Sequence, residues 1–226
     1  MKKILMSVLL AASLAAPLAA NAQISVSVGI APPPLPVYVQ PPIPGDGYMW
    51  TPGYWAWSPD DEDYYWVPGT WVPAPFVGAL WTPGYWGWAG GSYMWHAGYW
   101  GDHIGFYGGV NYGFGYFGNG YEGGYWRGNH FFYNRSVTNV TNITNVHIYN
   151  KTVINNVTVN RVSYNGGRGG IMARPTMEQE RWSHERHFEP THMQMDHEHA
   201  AGRNREFLAR ENHGHPMVAA TSRPGD

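Results

Sequence analysis

The sequence predicts a mainly β fold. It reads as an antiparallel meander of short Trp-rich hairpin repeats, then an extended Asn/Thr/Val strand segment, then a partly helical or disordered C-terminal tail. Three observations predict this. The phrase Trp-x-(Pro/Ala)-Gly-x-Trp occurs four times, as WTPGYW at 50–55, WVPGTW at 66–71, WTPGYW at 81–86 and WHAGYW at 95–100; a degenerate copy, YEGGYW, ends at Trp126. The starts lie 14 to 16 residues apart, enough for two short strands and two turns but too little for a helical repeat. Over 137–159, β-branched residues mixed with Asn and Thr favour extended chain over helix.

Residues 1–22 read as a secretory signal peptide: Met1-Lys2-Lys3 is a positive start, Ile4 to Ala16 an apolar run, and Ala20-Asn21-Ala22 an A-x-A cleavage site. The run is short for a membrane span, and no later stretch is apolar for long enough to be one. Export to the periplasm, the outer surface or the medium is the expectation. Cysteine is absent, so no disulfide, thiolate metal site or cysteine nucleophile is available. Of the 14 Lys and Arg residues two lie in the leader, against 16 Asp and Glu, a balance that argues against a nucleic-acid partner.

Residues 23–47 form a strand and a Pro-rich leader. Ile24, Val26, Val28 and Ile30 alternate with small residues, and Pro32-Pro33-Pro34-Leu35-Pro36 follows as a stiff extended connector. The Trp/Gly repeat region spans 48–128. In WAW-SPDDED-YYW a hairpin sets Trp57 opposite Tyr64 and Trp55 opposite Trp66; in WGW-AGGS-YMW it sets Trp88 opposite Tyr93 and Trp86 opposite Trp95. If the Pro-Gly step is a tight turn, Trp50 falls opposite Trp55. Pro-Gly favours a type II turn, however, and tight hairpins prefer primed turns, so wider corners are the alternative. Ala97 replaces proline while Gly53, Gly69, Gly84 and Gly98 all remain, which predicts a need for positive φ. The tract from Gly101 to Gly128 interleaves glycine with aromatics, as packed rings or as a flexible loop.

The Asn/Thr/Val segment occupies 129–165. Val137, Val140, Ile143 and Val146 recur every three residues, and Val157 and Val159 alternate. The first period suits a bent edge strand or a three-fold fibre between chains, which would make a homo-oligomer. Residues 166–226 form a Gly linker and a His/Met-rich polar tail. Thr176 with Gln179 is a capping box for a helix ending before Pro190, and 203–212 is a second short helix; the polar faces predict poor packing.

The WxPGYW and YMW phrases with the GYWGW spacing resemble the bacterial YxWGxW (WxxGxW) repeat proteins. APPPLPVY, LWTPGYWGW, the HAGYWG and GGVNYGFGY runs, VSYNGGRGGI and NHGHPMVAAT extend the resemblance over most of the chain after the leader. It implies export and a repeat architecture, and brings no catalytic residue. Some relatives carry a cysteine in the Pro-rich leader; here there is none.

For chemistry, the rings of Trp50, Trp55, Trp57, Trp66, Trp71, Trp81, Trp86, Trp88, Trp95 and Trp100 are glycan-stacking candidates, facing envelope polysaccharide or peptidoglycan. Alternatively they form the core of a β domain poor in aliphatics. Asp60-Asp61-Glu62-Asp63 reads as a solvated hairpin tip or a poorly spaced calcium loop. In the tail His192, Met193, Met195, His197 and His199 mix imidazole and thioether, a set suited to weak copper, nickel or zinc binding; a solvated, pH-responsive tail is the bland alternative. No Ser-His-Asp order, Walker phrase or H-E-x-x-H stands in a supporting context, so an enzyme is not expected.

Overall fold

In the computed structural model, residues 26–141, 145–153 and 161–226 are described. The signal-peptide reading and the expectations for Ile24, Ile143, Val157 and Val159 fall outside them. After β1 (Ser27–Val28), eight strands make two long hairpins. The first is β2 (Tyr48–Thr51), β3 (Tyr54–Ser58), β4 (Asp63–Val67) and β5 (Thr70–Pro73). The second is β6 (Leu80–Thr82), β7 (Tyr85–Ala89), β8 (Ser92–His96) and β9 (Tyr99–Gly101). Then come β10 (Asn111–Gly113), β11 (Tyr116–Phe117), β12 (Gly124–Arg127), β13 (His130–Asn134), β14 (His147–Tyr149) and β15 (Tyr164–Asn165). The tail adds α1 (Met177–Trp182), α2 (His192–Arg203), a 3-10 turn and α3 (Ala209–Asn212). The protein is mainly β, built from many short, mostly antiparallel pairs.

The hairpin ends carry the expected register: Trp55 faces Trp66, Trp57 faces Tyr64, Trp86 faces Trp95 and Trp88 faces Tyr93. The Pro-Gly steps do not turn. Trp50 lies opposite Trp71, not Trp55, and Trp81 lies opposite Trp100. Both arms of each hairpin run straight through in one register, interrupted at the Pro-Gly and Ala-Gly steps; at the prolines the ladder lacks an N–H. Each hairpin thus has a waist, with Pro52-Gly53 facing Pro68-Gly69 in one and Pro83-Gly84 facing Ala97-Gly98 in the other. Pro52, Pro68 and Pro83 are buried, whereas Ala97, in the one phrase without proline, is exposed.

The waist glycines correct a second expectation: none of the four has positive φ. They are glycine because an indole lies against them. A Cβ would sit 2.5 Å from the Trp50 ring at Gly69, from the Trp95 ring at Gly84 and from the Trp81 ring at Gly98; at Gly53 it would collide with Trp66. The first tryptophan of every phrase therefore covers the glycine of its partner phrase, and the partner does the same in return. The second tryptophans fasten other segments through their indole N–H. Trp55 donates to the Pro34 carbonyl (3.2 Å), Trp71 to Pro41 (3.0 Å), Trp86 to Trp55 of the other hairpin (2.7 Å) and Trp100 to the Gln194 side chain (2.8 Å).

The Gly/aromatic tract is packed. Tyr107, Tyr112 and Tyr116 are buried, and the last two donate to the carbonyls of Gly84 (2.6 Å) and Trp81 (2.7 Å). Of the extended segment expected from Val137 onwards, His147–Tyr149 is a strand, whereas Val137 lies in a turn and Val140 in irregular chain. Asn134 is buried and takes the N–H groups of Ser136 and Lys151 while donating to Glu122 and Lys151; Asn139 and Thr141 bond each other's side chains. Asn and Thr here compete with the ladder for their own backbone. The tail is ordered against the expectation of poor packing. Thr176 and Thr191 each close a capping box, and α2 packs on β4 with Ala201 buried and Gly202 against Tyr65. The second short helix, expected over 203–212, is divided into the 3-10 turn Arg205–Phe207 and α3.

Candidate functional site

The structure separates the sequence-predicted tryptophans. Trp50, Trp55, Trp66, Trp71, Trp81, Trp86 and Trp100 are buried, so their faces are unavailable for stacking on a sugar. They pair edge-on or tilted, with ring centroids 5.2 Å apart for Trp50–Trp71 and Trp55–Trp66 and 5.3 Å for Trp81–Trp100. Trp57 and Trp95 are half-buried, and Trp88 alone of the ten is exposed, at 39 %. The physical reason is that the two hairpins pack on each other, with Tyr64 edge-on to Trp86 and Tyr54 stacked on Trp95 at 5.0 Å, and that other segments cover the remaining rings.

The tail set does not converge either. His197 faces inward, its Nε2 2.8 Å from the Pro68 carbonyl oxygen, whereas His192 and His199 are exposed and two helical turns apart, about 10 Å along the axis. The acidic tip is docked rather than bare or calcium-like: Arg210 reaches Asp61 at 2.8 Å and its backbone N–H donates to Asp63. The Ser58 hydroxyl and then Arg210 hold the Asp61 carboxyl below its ordinary value. Between the waists and α2 lies a cavity of about 70 Å³ lined by Tyr54, Tyr112, Gln194, His197 and Glu198 among others. Burial, then the Glu198 carboxylate, pushes the Tyr54 phenol well up, so it stays a neutral donor.

A different surface gathers the exposed chemistry. In β12–β13, Arg127 faces His130 across the two-residue turn Gly128-Asn129, and Tyr125 faces Phe132; β14 adds His147 beside Phe132 and Tyr149 beside Asn134. Strand alternation puts Tyr125, Arg127, His130, Phe132, His147 and Tyr149 on one face. Tyr125, Arg127, His130 and His147 are exposed, and Tyr125 stacks along Phe132 at 5.5 Å with planes 13° apart. The opposite face is core: Phe131 and Tyr133 are buried, Trp126 donates to Ala79 (2.9 Å) and Tyr133 to Tyr48 (2.8 Å). Sequence reasoning missed this face, because the boundary set at 128/129 cut through the hairpin turn. The usable signal was Gly-Asn between two alternating aromatic runs.

The architecture defines a β protein built from Trp-paired hairpins with glycine waists. The WXXGXW repeat matches in two copies, residues 45–72 and 80–100, and this is the repeat that the sequence resembles. Each copy takes in both phrases of one hairpin, so the repeat unit is the pair of phrases. No curated protein and no solved structure matches the chain. Among the described residues, no helix is long and apolar enough to cross a membrane.

Proposed function

We propose that the protein is an exported, non-enzymatic structural or adhesive component of the bacterial envelope, and that it contacts cell-wall or extracellular glycan through the β12–β13–β14 face. The observation that supports this reading is the exposed Tyr125 ring, stacked nearly parallel on half-buried Phe132, on a sheet whose other face carries buried Phe131 and Tyr133. Flat rings held by a rigid backing suit the apolar face of a sugar, and Arg127, His130 and Tyr149 around them supply groups for its hydroxyls. The Trp hairpins then serve as scaffold. The positive start, apolar run and A-x-A site of residues 1–22 support export.

The test is pull-down on peptidoglycan and on acidic polysaccharide. The intact protein should bind, Tyr125→Ala should release it and Trp88→Ala should leave binding unchanged. Failure of the unaltered protein to bind either polymer would sink the reading. Recovery of the chain from the envelope fraction beginning at Gln23 would test export separately.

A further inference from the structure

On the rim of the same face three potential metal ligands come together from three segments. Asp46 lies in the turn before β2, His130 opens β13 and His147 opens β14, and one ligand atom from each lies within 4.8 Å of the others. All three residues are exposed, so an ion from solvent can reach them. We propose that Asp46, His130 and His147 form a two-histidine, one-carboxylate site for a divalent first-row transition ion such as zinc, nickel or copper.

The chemistry of the set chooses the ion class. Two imidazoles and one carboxylate suit zinc, copper and nickel, whereas calcium and magnesium want shells of oxygen. Three protein ligands leave at least one coordination position for water or another ligand.

The arrangement is also fixed beforehand. The Gly47 N–H donates to one Asp46 oxygen at 2.9 Å, and the other oxygen is turned toward His130 Nδ1 at 3.6 Å, too long for a hydrogen bond. The Tyr133 hydroxyl, donating to the Tyr48 carbonyl, ties the segment after Asp46 to β13. His147 stacks on Phe132 at 4.8 Å, and its ring centre is 4.6 Å from that of His130. Two imidazoles this close beside a carboxylate need only small side-chain rotations to bring nitrogens and oxygen within about 2 Å of one ion. Once bound, the ion would staple the short parallel strand β14 to β13 and to the turn before β2.

Calorimetric titration of the purified protein with zinc and nickel chloride tests this, with circular dichroism confirming the fold of each variant. One equivalent should bind. His130→Ala, His147→Ala and Asp46→Asn should each weaken binding by on the order of tenfold or more. The double change His192→Ala with His199→Ala on α2 should leave it unaltered. No binding by the unaltered protein, or binding that survives loss of both His130 and His147, overturns the proposal. The proposal does not rest on glycan contact: Tyr125→Ala should abolish glycan pull-down while one ion still binds.

Discussion

The two hairpins share one skeleton and differ in what surrounds it. Both have facing Trp pairs on either side of a glycine waist and the same reciprocal cover of ring over glycine. The first is wrapped: the leader lies along it through Trp55 and Trp71, the tail reaches it through Trp66 and Ala219, and its tip is held by Arg210. The second is flanked differently. Its tip strands β7 and β8 are extended into one sheet by β1 and β15, while Trp95 is half-buried and Trp88 exposed. The phrase therefore sets the hairpin, and the neighbours set how much each ring is worth.

The largest expected effect should show that difference. Trp66→Ala removes a fully buried ring and its bond to Ala219, and should cost ~3–5 kcal/mol in urea unfolding; Trp95→Ala at the equivalent place should cost clearly less. Equal losses would mean that the wrapping adds nothing. The waist, by contrast, should not distinguish the hairpins. Gly69→Ala and Gly98→Ala meet the same 2.5 Å approach of an indole, so each should lose ~1–3 kcal/mol by the same measurement. A loss in one hairpin alone would break the proposed reciprocity.

The smallest effect belongs to the first hairpin only. Arg210→Ala removes the exposed contact to Asp61, and hydrogen exchange should rise at α3 with little change in global stability. The Asp61 carboxyl is held below its ordinary value of 3.8, so its contribution is present above that pH and fades as pH falls through the lowered value. Exchange at α3 should accordingly rise in acid in the unaltered protein, and Arg210→Ala should shrink that rise.

What was legible in the sequence was local. Short loops at 59–62 and 90–91 set the register of the strands they join, so Trp57 with Tyr64 and Trp88 with Tyr93 could be placed from spacing. The waist was not legible, because Pro-Gly is the same dipeptide whether it turns the chain or interrupts a ladder. Only the partner strand, some twenty residues away, decides between them. The tail hid its packing for another reason. Its contact with β4 uses Ala201 and Gly202, which carry almost no hydrophobic signal, so a docked helix reads as a polar one. The β12–β13–β14 face was hidden because β14 pairs parallel with β13 across an intervening turn. Nothing in local spacing brings His147 beside Phe132, or Asp46 to His130.

The waist also divides each hairpin into a part that tolerates change and a part that does not. Four residues, Pro59 to Glu62, join the arms of the first hairpin, and two, Gly90 and Gly91, join those of the second, yet the ring-over-glycine contacts are alike in both. Loop length at the tip is thus uncoupled from the geometry at the waist. Foreign segments could be spliced into the Gly90-Gly91 tip without disturbing the pairing behind it, whereas a single residue inserted between Trp81 and Gly84 would shift ring from glycine along the whole arm.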